Sequence, residues 1–192
     1  LRVMAKGVRK IKSKMAGGVE LFSVSELSVL RGKGEVGTLV SSRLIAHYPN
    51  IVKDIQRTMY GYEFLKLLNK ITEDNVGPEY FELAELVFEA LNDVSVPLQL
   101  VKLWVDIRLL DITGHSPNVS TDATGDKLEA GQSYDFDGEE MTFSKRPDGM
   151  YQAGHIKLLR LVLGNAPSKI AKVDGIIEYV DACQLFAQAM RR

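Results

Sequence analysis

Residues 98–113, LQLVKLWVDIRLLDIT, place apolar side chains on nearly every side of a predicted helix. A helix that is apolar all round is stable only when other elements cover it, so this segment predicts the central helix of a bundle. Gly114 is the expected end of the helix. Arg108 needs a nearby acid or a helix C-terminus as its partner in such surroundings, and Trp104 is interpreted as a core residue.

Helical periodicity also flanks this segment on both sides. Apolar residues between 51 and 71 recur at steps of three and four, which predicts a long helix that begins after Asn50. Pro78 stands at a favourable first position of another helix, with acids in its first turns. The expected helices besides the central one cover Thr38–Tyr48, 51–71, Glu79–Leu91, His155–Leu163 and Asp174–Met190.

Residues 116–153 form a turn-rich insert with eight acids against three basic residues. Residues 134–136 and 141–143 alternate apolar and polar around Asp137-Gly138, a pattern that predicts one or two small exposed β-hairpins. The acids of residues 135–140 faintly resemble a calcium loop. We interpret them as a hairpin turn, because the third acid and the bidentate Glu of such a loop are missing.

Positive charge is concentrated at the N-terminal end. Residues 1–36 hold eight Lys or Arg against three Glu, a net charge of +5, and the remaining chain sums to −6. Alternating apolar residues punctuated by glycines predict β-strands over residues 1–36. Because a polyanion requires cations arrayed along one face, the segment predicts contact with nucleic acid. The candidate DNA-binding residues are Arg2, Lys6, Arg9, Lys10, Lys12, Lys14, Arg31 and Lys33.

The same charges have plainer interpretations. A basic strand edge can simply be kept charged against aggregation, and the turn that carries Arg31 and Lys33 can simply be solvated. Phe22 can be a core residue or a stacking platform for an unpaired base, and core is the preferred interpretation.

Several functional classes are not supported by the sequence. No phosphate-binding loop, dinucleotide fingerprint, zinc-protease motif or nucleophile elbow occurs, so we expect no enzymatic activity and no cofactor. His47, His115 and His155 are interpreted as structural or surface residues, and Cys183 as a small core residue. The single cysteine favours a reducing cytoplasm, and no apolar run approaches the ~20 residues of a membrane span.

Four stretches, in this order, resemble the bacterial RecO family of recombination mediators. The first looks like the basic strand and loop of that family, the second like its next strands and turn, the third like a helix entry, and the fourth like its central helix. They are residues 6–17 (KGVRKIKSKMAG), 20–34 (ELFSVSELSVLRGKG), 48–55 (YPNIVKDI) and 106–117 (DIRLLDITGHSP).

The resemblance implies an α+β fold, with a partial N-terminal OB-fold β-barrel in residues 1–36 and an α-helical domain in residues 37–192. The chain is expected to begin at about the third strand of that barrel. The family often carries a four-cysteine zinc site in the insert, here residues 116–153. Thr121-Asp122-Ala123-Thr124-Gly125 stands in place of its first Cys-x-x-Cys-Gly, so we expect no metal.

The implied function is non-enzymatic mediation of recombination in DNA repair. Family members bind single- and double-stranded DNA, anneal strands, and assist RecA loading with RecR and the single-strand-binding protein SSB. The implied location is the bacterial cytoplasm at the nucleoid, with no membrane and no small-molecule substrate as a partner. An apolar pocket rimmed by cations would suit the acidic SSB C-terminal tail, and possible rims are Lys66, Lys70, Lys157 and Arg160. The alternative is a protein–protein interaction scaffold with weak or no DNA binding.

Overall fold

The protein is mixed α+β, with short strands at the N-terminal end and helices over most of the remainder. The computed structural model describes residues 2–8, 15–32, 34, 36–72 and 77–190. The strands are β1 (Arg2–Met4), β2 (Ser23–Leu30), β3 (Val36–His47), β4 (Tyr134–Asp137) and β5 (Thr142–Lys145). The helices are α1 (Ile55–Ile71), α2 (Pro78–Asn92), α3 (Leu98–Ile112), α4 (Ala153–Gly164), α5 (Pro167–Ile170) and α6 (Val180–Met190).

The chain divides into two compact units, residues 1–67 and 68–192. This division differs from the predicted partition at residue 36. The reason is that β3 begins at Val36 and pairs along its length with β2, so the sheet continues well past that residue.

The first unit contains a three-stranded sheet in the order β1-β3-β2. Strand β1 runs parallel to β3, with Arg2 opposite Val36, and β2 runs antiparallel to β3, with Leu30 opposite Thr38. The sheet is open, and among the described residues no strand joins its two edges into a barrel. An OB-fold therefore stays a prediction.

The prediction of a helix over Thr38–Tyr48 is wrong, because this segment forms most of β3. The β-branched residues Thr38, Val40 and Ile45 suit a pleated strand, and pairing with β2 outweighs the weak helical spacing. Leu39 is buried on this strand, whereas Val40 is exposed at an irregularity in the register.

Helix α1 begins later than predicted. A 3-10 turn over Ile51–Lys53 precedes it, and the Asp54 carboxylate accepts hydrogen bonds from the backbone N–H groups of Gln56 and Arg57. A carboxylate at this position satisfies amide groups that the first helical turn leaves without partners.

The buried side of α1 meets Phe22. A side chain at Gly61 would come within 2.6 Å of the Phe22 ring, so only glycine permits this approach. The edge of Tyr62 completes the contact, with ring centroids 5.7 Å apart. Phe22 is 3% exposed, which confirms the interpretation of this residue as core.

Helix α3 is the centre of the second unit, as its sequence predicted. Leu100, Leu103 and Ile107 are fully buried, and the α2 helix that Pro78 opens packs against α3. The prediction of a paired Arg108 is confirmed, since its Nη1 lies 2.6 Å from the Asp111 carboxylate. Trp104 is buried, and its indole N–H donates to the Asn165 carbonyl oxygen at 2.7 Å.

The predicted hairpin is confirmed as β4–β5, with Phe136 opposite Phe143. The expectation that it is exposed is wrong, because its aromatic side chains pack on α6, where the rings of Phe143 and Phe186 lie parallel with centroids 5.5 Å apart. The Asp137 carboxylate accepts the backbone N–H groups of Glu139 and Glu140, so it closes the turn as predicted.

The last predicted helix is divided into two parts. Gly175 adopts a left-handed φ of +71°, a 3-10 turn covers Ile176–Tyr179, and α6 begins only at Val180. The short helix α5 was not predicted. Within the described ranges, no helix is long and apolar enough to cross a membrane.

The N-terminus of α4 is capped by a titratable side chain. The backbone N–H of Gln152 donates to Nδ1 of His155 at 3.0 Å, and the Gln152 side chain accepts the backbone N–H of His155 in return. Burial lowers the pKa of His155, which stands edge-on to the rings of Tyr151 and Tyr179. Protonation of Nδ1 removes the acceptor and places a positive charge at the unfavourable end of the helix dipole.

The second unit should therefore lose stability as the pH falls. A lowered pKa in the folded state means that the neutral form stabilises the fold above about pH 6.5, the ordinary histidine value, and that this contribution disappears as the pH falls through the folded pKa. Urea unfolding followed by the fluorescence of Trp104, the single tryptophan, measures the effect. His155→Gln keeps an acceptor that does not titrate and should flatten the profile, whereas His115→Gln should not. An unchanged profile in His155→Gln would contradict this account.

Candidate nucleic-acid interface

Three of the predicted DNA-binding residues lie in the described part of the first unit. Arg2 is on β1 beside the start of β3, and Arg31 follows the end of β2. Because β2 and β3 are antiparallel neighbours, the topology brings Arg2 and Arg31 to the same end of the sheet. Lys6 lies in the turn that follows β1, and all three residues are exposed.

These three cations differ from other basic residues of the same unit. Arg43 donates to the Glu26 carboxylate across the strands, with Nε 2.9 Å from Oε2. Arg57 is buried, with Nε 3.7 Å from the Asp54 carboxylate. Among the described residues, no carboxylate lies within ion-pair distance of Arg2, Lys6 or Arg31. All three side chains are exposed to solvent, where an anion can approach them.

The remaining predicted DNA-binding residues lie outside the described residues. They are Arg9, Lys10, Lys12, Lys14 and Lys33. Their contribution to the positive charge of the first unit is read from the sequence alone. Together the basic residues of 1–67 number twelve against five acids, a net charge of +7, whereas residues 68–192 carry −8.

Two of the four predicted pocket rims line one cavity of the second unit. Lys157 and Arg160, one turn apart on α4, border a cavity of about 220 Å³ whose floor includes Leu128 and Ile156. The Nε of Arg160 donates to the Val119 carbonyl oxygen at 2.8 Å, which holds the guanidinium in place. Nothing in the sequence indicated Val119, because it precedes Arg160 by 41 positions and acts through its backbone. Lys66 and Lys70, the other two predicted rims, are exposed on α1.

A second cavity of the same unit, about 190 Å³, is lined by Leu86, Trp104, Arg108 and Leu163 with the backbone that follows. Its arginine differs from Arg160. Arg108 Nη1 bonds to the Asp111 carboxylate and also donates to the Leu163 carbonyl oxygen at 3.3 Å. Because the Asp111 carboxylate lies beside the guanidinium, Arg108 presents less positive charge to a ligand in this cavity than Arg160 does in the other.

Residues 121–125, which by the resemblance replace the first Cys-x-x-Cys-Gly of the family's four-cysteine zinc site, form a turn that is closed by its own hydrogen bonds. The Asp122 carboxylate accepts the N–H groups of Thr124 and Asp126 and the Thr124 hydroxyl, and this lowers the pKa of Asp122. Structural zinc sites use thiolate and imidazole ligands, and this turn offers hydroxyl and carboxylate oxygens that are already bonded to each other. The residues present do not fit the zinc of that site.

Two further groups in this unit have pKa values that differ from their ordinary ones. Burial raises the pKa of the Cys183 thiol to about 12, so the thiol is protonated and unreactive at neutral pH. Burial also raises the pKa of Tyr151 to about 12. Both residues pack in the interior beside α4 and α6, and Cys183 is fully buried, as predicted.

The first unit is therefore a small open β-sheet module with a strong positive charge, followed by a helical unit of opposite charge. No family model matches the chain. Several curated proteins are similar to it in sequence. Over 116 residues the chain is 33% identical to the DNA repair protein RecO of Dehalococcoides mccartyi (strain ATCC BAA-2266 / KCTC 15142 / 195), which covers 60% of this chain and 45% of that protein.

Other bacteria supply similar relatives. The DNA repair protein RecO of Listeria welshimeri is 31% identical over 120 residues, 61% of this chain and 46% of the relative. That of Acetivibrio thermocellus is 30% identical over 125 residues, 63% of this chain and 48% of the relative. The chain spans about half the length of these relatives. Homology to bacterial RecO proteins confirms the resemblance that the sequence motifs indicated.

Proposed function

We propose that the chain is a non-enzymatic DNA-binding mediator that acts in DNA repair and recombination. The observation that carries the proposal is the net charge of +7 on residues 1–67, where Arg2, Lys6 and Arg31 are exposed and none has an acid of the described residues within ion-pair distance. Relatives that bear the name DNA repair protein RecO support it. A bacterial cytoplasmic location at the nucleoid belongs to the same proposal.

The charged module would grip phosphates with little sequence specificity. Neutralising the phosphates of two complementary strands removes their mutual repulsion, so strand annealing needs no chemical step. The parallel pairing of β1 with β3 and the open edges of the sheet are compatible with one part of an OB-fold, a barrel that binds single strands along a basic groove.

Strand annealing tests the proposed function directly. The chain should accelerate the pairing of two complementary oligonucleotides, labelled with a donor and an acceptor fluorophore, and the acceleration should disappear in high salt. No acceleration at low salt would contradict the mediator function. Binding to an acidic protein that an excess of oligonucleotide does not displace would favour the scaffold alternative.

Protein partners are the second part of the proposal. By the family resemblance, RecR and the acidic C-terminal tail of SSB would bind, and RecA loading would follow. The cavity at Lys157 and Arg160 suits such a tail, because an apolar floor can take its terminal side chain while the oriented guanidinium meets its carboxylates. Glu129 also borders this cavity, and its carboxylate would oppose the acids of the tail, so the two cations must outweigh it.

Removing the guanidinium should weaken tail binding. Arg160→Ala should raise the dissociation constant of a fluorescent peptide with the SSB tail sequence about tenfold or more, the usual effect of one charge-assisted hydrogen bond. Lys157→Ala should act in the same direction without the loss of the Val119 contact. Lys169→Ala, an exposed lysine of α5, is the control. Weakening by Arg108→Ala instead would assign the tail to the Trp104 cavity.

A further inference from the structure

One side of α1 and of the turn before it exposes a row of apolar side chains. Val52 is 53% exposed, Ile55 71%, Met59 57% and Tyr62 48%. Ile55, Met59 and Tyr62 follow one another at steps of four and three residues, so they share one side of the helix, and Val52 lies in the 3-10 turn before it. Lys66, four residues beyond Tyr62, continues the same row and is exposed. We call these five residues the α1 face.

Apart from Tyr62, whose ring edge meets Phe22, the α1 face is not the side by which the helix packs in its own unit. That side carries Gly61 and Phe64, which are buried, and the Phe22 ring lies against Gly61. Amphipathic helices normally bury their apolar row, yet here the buried side includes an arginine, Arg57, and a glycine. Contiguous exposed apolar residues of this kind mark interaction surfaces.

Charge indicates what would cover this face. Lys53 stands at one end of the row and Lys66 at the other, within a unit of net charge +7. Of the nearby acids, the Asp54 carboxylate caps the helix and lies beside Arg57, so Glu63, four residues after Met59, is the exposed acid next to the row. Tyr62 is the one aromatic side chain among the five residues of the face, and Val52, Ile55 and Met59 offer no platform for bases, which favours a protein over a nucleic acid.

We propose that the α1 face is the docking surface for an acidic amphipathic helix of a partner protein. The partner's apolar row would lie along Val52, Ile55, Met59 and Tyr62, and its acids would meet Lys53 and Lys66. None of its residues is among the cations assigned to DNA, so the proposal does not depend on DNA binding.

A pair of designed peptides tests the proposal on the full chain. The first is an 18-residue helical peptide with leucines along one side and glutamates elsewhere, and the second carries lysine at every glutamate position. Fluorescence anisotropy should detect binding of the acidic peptide and at least about tenfold weaker binding of the basic one. Met59→Glu should weaken the acidic peptide at least about tenfold. Ile55→Ser, a milder change, should act in the same direction.

The control is Phe81→Glu on α2, because Phe81 is also 57% exposed. It should leave peptide binding unchanged, and circular dichroism should show the same helix content in all variants. Equal binding of both peptides, or no effect of the α1 variants, would overturn the proposal. Displacement of the acidic peptide by an oligonucleotide would assign the face to nucleic acid. A dimer in sedimentation that Met59→Glu dissociates would assign it to a second copy of this chain. Both outcomes would also overturn the proposal.

Discussion

Replacing Phe186 with alanine should lower the free energy of unfolding of the second unit by about 3–5 kcal/mol. Phe186 is fully buried on α6, where it stacks on Phe143 and lies 4.3 Å from the ring centroid of Phe136. Its ring therefore joins the β4–β5 hairpin to the helices. Removing it leaves a cavity and releases several aromatic contacts together, each of which contributes beyond the area it buries.

The neighbouring residue supplies a matched control. Leu185 precedes Phe186 on the same helix but is 55% exposed, so Leu185→Ala should change the free energy of unfolding by only about 0.5 kcal/mol or less. Urea unfolding followed by Trp104 fluorescence reports on both variants. Equal effects of the two substitutions would show that the hairpin does not pack on α6 as described.

Reversing the charge of the exposed N-terminal cations should nearly abolish DNA binding. The triple variant Arg2→Glu, Lys6→Glu, Arg31→Glu changes the net charge of residues 1–67 from +7 to +1, and affinity for a single-stranded oligonucleotide at low salt should fall by about two orders of magnitude. The three side chains are exposed, so the substitutions should leave the fold intact.

The control is a variant with the same change of total charge in the second unit, Lys127→Glu, Lys169→Glu, Lys172→Glu. These lysines are also exposed. If binding depends on the local field of the first unit rather than on overall charge, this control should lose far less affinity. Equal losses in the two triple variants would contradict a DNA site on the first unit.

The helical bundle could be predicted from the sequence because its signals are local. The apolar run of α3, the proline that opens α2 and the turn residues of the hairpin act within a few positions, and the structure confirms each of them. Strand β3 could not be recognised in the same way. Its pairing partners are β1 and β2, and spacing within the segment 38–48 imitates a helix.

The candidate sites also contain some features that local sequence reveals and others that depend on contacts between distant residues. The basic residues were visible because charge density is a property of the sequence, and Lys157 and Arg160 were named only among four cations that could border a pocket. The cavity beside them was not, since it depends on the Val119 carbonyl and on Leu128 from the insert. The α1 face was misleading, because its periodicity correctly indicated a helix while the structure leaves that row exposed.

The salt dependence of single-stranded DNA binding tests the central claim most directly. Each phosphate that the protein neutralises releases counterions, and the logarithm of affinity falls with the logarithm of salt concentration by about 0.7 per contact for single strands. If most cations of the first unit contact phosphates, fluorescence anisotropy over a salt series should give a slope of about −4 or steeper. The triple charge-reversal variant should give a much shallower slope. A slope near zero for the unmodified chain, or the same slope in the variant, would contradict the assignment of DNA binding to the first unit.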